Sequence, residues 1–150
     1  MNRKLWTMAF ALGVSAFAMA QDAGAPAAPG AAAGNGTVVF FREKKMMGAA
    51  IRYKVRENGV ELCKLSNGSF CTVSVAAGKH EYLVHTEAKD SLALEVAAGQ
   101  TYYVQGSISM GAFAGHPHLA AVDKAVFDGM KDKLKDNTGK DLGGPDDEKK

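Results

Sequence analysis

The sequence has no long apolar run. The most extended, from Leu5 to Ala18, covers 14 residues, well short of the roughly 20 a helix needs to cross a bilayer, so no transmembrane segment is expected. Nor is there a surplus of one charge: the chain carries 18 basic and 16 acidic side chains, and 16 of each once a leader holding Arg3 and Lys4 is removed. Proteins that neutralise nucleic-acid phosphates or anionic lipid headgroups carry a basic excess, so no nucleic-acid partner is expected. Cysteine is nearly absent. The two that occur, Cys63 and Cys71, are not spaced as a Cys-x-x-Cys redox pair, and none lies near Gln21, which closes the route to a lipid anchor. Also missing are a Gly-x-Ser-x-Gly nucleophile elbow, a discernible Ser-His-Asp set and a Gly-rich strand-to-helix phosphate cradle. No catalytic residue and no cofactor are assigned, and an enzyme is not supported.

What is present begins with an address. Residues 1–20 run from a basic start (Arg3, Lys4) through the apolar stretch to a small-residue exit, Ala18-Met19-Ala20. This is the layout of a cleavable secretory signal, with the cut between Ala20 and Gln21. The mature protein is expected to be periplasmic or secreted. From Gln21 to Gly36, Ala, Gly and Pro supply 13 of 16 residues with no large apolar side chain, too little burial to offset the entropy of ordering. Residues 21–36 read as a disordered leader and 137–150, with Leu142 its only large aliphatic residue, as a disordered tail. The folded domain is expected over residues 37–136.

Within those limits apolar residues recur with period two, as Ile51, Tyr53 and Val55 against Arg52, Lys54 and Arg56, or Leu92, Leu94 and Val96 against Ala93 and Glu95. Strands with one wet face give this pattern. Five further segments fit: Thr37 to Arg42, Val60 to Leu65, Ser69 to Ala76, Lys79 to Thr86 and Thr101 to Ile108. Asn58-Gly59 is a strong type I′ hairpin signal, and Asn67-Gly68, Ala77-Gly78 and Ala98-Gly99 punctuate the rest. Seven or eight short strands so spaced predict an all-β fold, an antiparallel sandwich or barrel. The eighth would be Leu119 to Val122. Val122, Val126, Met130 and Leu134 then fall four apart, which predicts one C-terminal α-helix from about Asp123, its N-cap, to Asp136.

In an oxidising compartment the two cysteines invite a disulfide. A three-residue Ser66-Asn67-Gly68 loop would set Cys63 opposite Cys71, whereas a two-residue Asn67-Gly68 loop would offset them. His116-Pro117-His118 follows the Gly-rich stretch Met110 to Gly115, read as a loop, and these imidazoles with the Met110 thioether form a weak copper-site pattern. His80 is expected to bond a turn, and His85 to be a half-buried strand residue. The connection carrying Arg42, Lys44, Lys45, Met46 and Met47 presents cations and two thioethers, a candidate partner-binding loop.

Several of these pieces, taken in order, resemble a bacterial family called domain of unknown function 2846. They are Val38-Val39-Phe40-Phe41-Arg42, the Tyr53-Lys54-Val55 strand leading to Asn58-Gly59, Leu65 to Phe70, Gly78-Lys79-His80, Ser91 to Leu94, Ala98 to Val104 and Leu119 to Val122. The resemblance implies an exported or lipid-anchored envelope protein with a small β-sandwich of transthyretin-like or PEGA-like kind, and it implies no activity. The chain lacks the anchor cysteine of lipid-anchored members and has Ala77 where relatives often carry a proline. The reading that follows is a non-enzymatic envelope protein that contacts another envelope protein through loops or a sheet edge. The alternative is a copper-handling protein using His116, His118 and Met110.

Overall fold

The computed structural model describes residues 34–86, 88–111 and 115–140. The signal, most of the leader and the last ten residues of the expected tail lie outside that range. Eight strands run in chain order: β1 (Asn35–Arg42), β2 (Tyr53–Glu57), β3 (Val60–Leu65), β4 (Ser69–Ala76), β5 (Gly78–His85), β6 (Lys89–Val96), β7 (Thr101–Met110) and β8 (Gly115–Val122). A short helix α1 (Lys124–Asp128), a 3-10 turn (Lys131–Lys133) and a two-residue strand β9 (Lys135–Asp136) follow. The strands form two sheets, ordered β8-β7-β1-β4-β9 and β3-β2-β5-β6. The β-sandwich expected from the alternation is therefore present.

Burial explains which strands lie where. In β1 the run Val38-Val39-Phe40-Phe41 is buried throughout, as a strand covered on both faces must be. Val38 and Phe40 enter the main core between the sheets, where Phe40 meets Tyr82 of β5 edge to face at 4.9 Å. Val39 and Phe41 point outward, into a second apolar cluster around Phe127 of α1. Strands covered on one face only alternate instead, as β5 does with Tyr82 and Val84 buried and Glu81 and Leu83 exposed.

Four local expectations change. The sandwich is not wholly antiparallel, because β1 pairs with β7 in parallel and β4 with β9 likewise. Hairpin chemistry fixes only the direction of chain neighbours, and neither pair is joined by a hairpin. Second, Asn58 (φ 49°) and Gly59 (φ 82°) do close the β2–β3 hairpin, but Asn67-Gly68 does not close a second one. At that turn the chain leaves one sheet for the other, so Cys63 and Cys71 bond across the sandwich, with Cα atoms 6.2 Å apart. Third, His116-Pro117-His118 lies within β8 rather than in a loop, paired with Ser109, Ile108 and Ser107 of β7. A strand proline is tolerated there because β8 is an edge.

Fourth, the C-terminal helix spans five residues, not fourteen. Asp123 holds the N-cap position without a side-chain cap bond, and Gly129 occupies the C-cap, a residue that weakens helix continuation. The four-apart residues serve another surface: Val122, Met130 and Leu134 surround Phe127 and cover Phe41, Phe70 and Tyr103 on the outer face of the five-stranded sheet. The segment then runs along the free edge of β4. There the Lys135 N–H donates to Gly68 O at 2.9 Å, Asn137 N–H to Phe70 O at 2.8 Å, and Thr72 N–H to Thr138 Oγ1 at 3.0 Å. Residues 137–140, expected in a loose tail, thus begin as an edge cover, and β1 starts at Asn35 inside the expected leader. Among the described residues no helix is long and apolar enough to cross a membrane.

Candidate functional site

The β1–β2 connection is organised from beneath by Arg42. Its side chain is 3% exposed and donates to two main-chain carbonyls, Ile51 O at 2.5 Å and Gly48 O at 2.6 Å. The guanidinium also stands 5.7 Å from the centre of the Tyr53 ring, a cation–π approach. Burial lowers the Arg42 pKa from its ordinary value, Tyr53 acting weakly the other way; burial likewise pushes the Tyr53 phenol far above its usual range. Gly48 takes φ 69°, and Ala49 N–H to Met46 O (3.3 Å) and Ile51 N–H to Gly48 O (3.0 Å) close two turns around it. Asn67 Oδ1 accepts the Lys45 N–H at 2.8 Å, tying the near side of the loop to the β3–β4 turn.

With its base held so, the loop turns its apolar residues outward. Met46 is 96% and Met47 62% exposed, and Lys44 and Lys45 precede them in the open. The five residues singled out from sequence therefore divide. Arg42 is the internal fastening, and Lys44, Lys45, Met46 and Met47 form the presented surface.

A second constellation lies where β6 and β8, the edges of opposite sheets, come together. Thr86 Oγ1 donates to Gly115 O at 2.9 Å, and the Leu119 N–H donates to Asp90 Oδ2 at 2.9 Å. His116 and His118 alternate with buried Pro117 and Leu119, so both imidazoles occupy the outward face. Met110 pairs with Gly115, a position of opposite parity. The third residue of the expected metal set is thus on the other face of the sheet. Among the described residues no group of three or more His, Cys, Asp or Glu side chains converges to hold a metal ion. His118 is instead flanked by groups the sequence reading did not connect: its Nε2 is 2.9 Å from Ser109 Oγ, and its Nδ1 is 3.8 Å from Asp90 Oδ2. The residue types are visible in the sequence, but their meeting depends on a diagonal across β7–β8 and on the stacking of two sheet edges. No local pattern encodes either.

Two further clusters are structural. His80 Nδ1 is 2.7 Å from Glu57 Oε1 and Nε2 2.7 Å from Ala76 O, while the ring stacks on Tyr82 with planes 3° apart. This bond to Ala76 is the turn contact expected for His80; His85 is exposed rather than half-buried. On the outer face of the four-stranded sheet, Glu61 accepts from Lys54 at 2.7 Å and Arg56 at 2.9 Å, and these donors lower its pKa from the ordinary carboxylate value.

Comparison with known proteins gives one match. Residues 32–117, more than half of the chain, match the family described as protein of unknown function (DUF2846). No curated protein and no solved structure matches.

Proposed function

The chain belongs to the DUF2846 family, which supplies no activity, and from the geometry we propose that the protein is a docking module of the cell envelope. It contacts another envelope protein through the β1–β2 loop. One observation carries this reading: a buried, unusually well-anchored arginine holds up a loop whose two methionines face outward. Folding normally hides such side chains, and flexible thioethers suit a surface that adapts to a partner. Lys44 beside them, with Lys45 whose ammonium also meets Glu43 at 3.0 Å, favours a partner with an apolar recess rimmed by carboxylates. Export after cleavage between Ala20 and Gln21 belongs to the same proposal, supported by the layout of residues 1–20 and by the Cys63–Cys71 bond, which suits an oxidising compartment.

The test is photo-crosslinking in cells from a probe at position 46, with a probe at exposed His85 as control. A discrete adduct with an envelope protein, specific to position 46 and lost when Lys44 and Lys45 are both changed to Glu, is the expected result. Absence of an adduct, or one indifferent to charge reversal, refutes it. A second reading, metal handling, draws on the placement of His116 and His118 two residues apart on one strand face. It requires copper or zinc binding tighter than about micromolar by calorimetry, abolished by His116→Ala with His118→Ala.

A further inference from the structure

The line from Ser109 through His118 to Asp90 belongs to neither the docking loop nor a closed metal site. Ser109 Oγ lies 2.9 Å from His118 Nε2, and the opposite ring nitrogen faces Asp90 Oδ2 at 3.8 Å. Asp90 is itself fixed in place, since the same oxygen accepts the Leu119 N–H at 2.9 Å. Hydroxyl, imidazole and carboxylate therefore stand in the order of nucleophile, base and orienting acid, an order recognised by geometry and not by position in the chain. Three strands of two sheets contribute: Ser109 from β7, His118 from β8 and Asp90 from β6. At 3.8 Å the Asp90 carboxylate is too far for a direct hydrogen bond, but its charge favours the proton on Nδ1, which leaves the Nε2 lone pair toward the serine. That is the tautomer able to take the hydroxyl proton. The serine and histidine are open to solvent, so an incoming ester reaches them without any opening motion.

We propose that Ser109 is an acylatable nucleophile, with His118 as its general base and Asp90 as a positioning residue, and that it reacts with short, activated carboxylic esters. The Ser109 oxygen bonds to the ester carbonyl carbon while its proton passes to His118 Nε2. The tetrahedral adduct then collapses, the bond to the leaving oxygen breaks, and the alcohol departs with that proton. Water repeats the sequence on the acyl-serine, releasing the carboxylic acid and restoring the hydroxyl. The surface around Ser109 is open, so chemical reactivity, not a fitted acyl groove, selects the ester. A metal ion on His118 would occupy the same lone pair, so the test includes a chelator.

The purified, disulfide-bonded protein is treated with a fluorophosphonate probe and, separately, with p-nitrophenyl acetate in the presence of EDTA. Adducts are read by intact mass and peptide mapping. The expected result is one adduct, on Ser109, absent in Ser109→Ala and formed at least about a hundredfold more slowly in His118→Ala, the lower end of a general-base contribution. Ser107→Ala, altering the neighbouring serine on the same face, labels like the parent. Asp90→Asn retains an acceptor for the Leu119 N–H yet slows labelling, and Asp90→Glu recovers part of the rate. No adduct, an adduct elsewhere, or equal rates with and without His118 overturns the proposal. An unchanged rate in Asp90→Asn overturns the role given to Asp90. Matching thermal melts of the Ser109 and His118 variants exclude misfolding as the cause, since neither side chain is buried.

Discussion

Arg42→Met separates the fastening of the β1–β2 loop from the stability of the sandwich. Methionine keeps a flexible apolar stem over Tyr53 but removes both bonds to Gly48 O and Ile51 O. Hydrogen bonds from a charged donor contribute about 1.5–3 kcal/mol each, or roughly 3–6 kcal/mol for the two. Against this stands the cost of keeping a guanidinium out of water, several kcal/mol even after relaxation. The two largely offset, so global stability should fall by only about 1–2 kcal/mol. The loop bears most of the change, because its two carbonyls lose their shared donor. Urea unfolding should show a lower midpoint with an unchanged slope, while hydrogen exchange of residues 43–51 accelerates far more than that of β1 or β7. The position-46 crosslink should weaken in parallel. If loop exchange is unaltered, or if loop and core lose protection equally, Arg42 is not the specific fastening argued above.

Three other outcomes follow from the same contacts. Reducing the Cys63–Cys71 bond, which closes a sequence separation of 8, should cost roughly 2–3 kcal/mol by the chain-entropy treatment, measured by denaturant unfolding with and without reductant. Glu61 has its pKa lowered by Lys54 and Arg56, so its contribution is present at neutral pH and is lost as pH falls through the folded-state value. Glu61→Gln should flatten that part of the acid-stability curve by about 1 kcal/mol, the Glu61 side chain being only 18% exposed between its two donors. Phe127→Ala removes the ring that Phe41, Phe70 and Tyr103 surround and should cost about 3 kcal/mol, with α1 and β9 losing exchange protection first.

The strands were legible because a half-buried sheet writes its two environments into alternate residues, as in Tyr82 and Val84 against Glu81 and Leu83. Glycine marked the turns but not their destinations. Asn58-Gly59 joins paired strands, while Gly68 and Gly78 sit where the chain changes sheets, and the sequence signals are alike. The cysteine pair was legible from an even count and an expected oxidising compartment, yet its bridge spans the sandwich and no hairpin. The helix was overextended because four-residue spacing cannot tell a helical stripe from separate residues wrapped over a sheet. Phe127, beside the stripe, is the buried one. Parity alone separates Met110 from His116 and His118, and it became readable only once the β7–β8 register was known.

The strip from Lys135 to Thr138 lies along hydrogen-bonding groups of β4 that would otherwise face solvent. A bare strand margin is a template on which another molecule can add its own strand. A chain shortened before Leu134 would leave that margin of β4 bare. Lys135 to Thr138 thus cover a margin that would otherwise be open to strand addition.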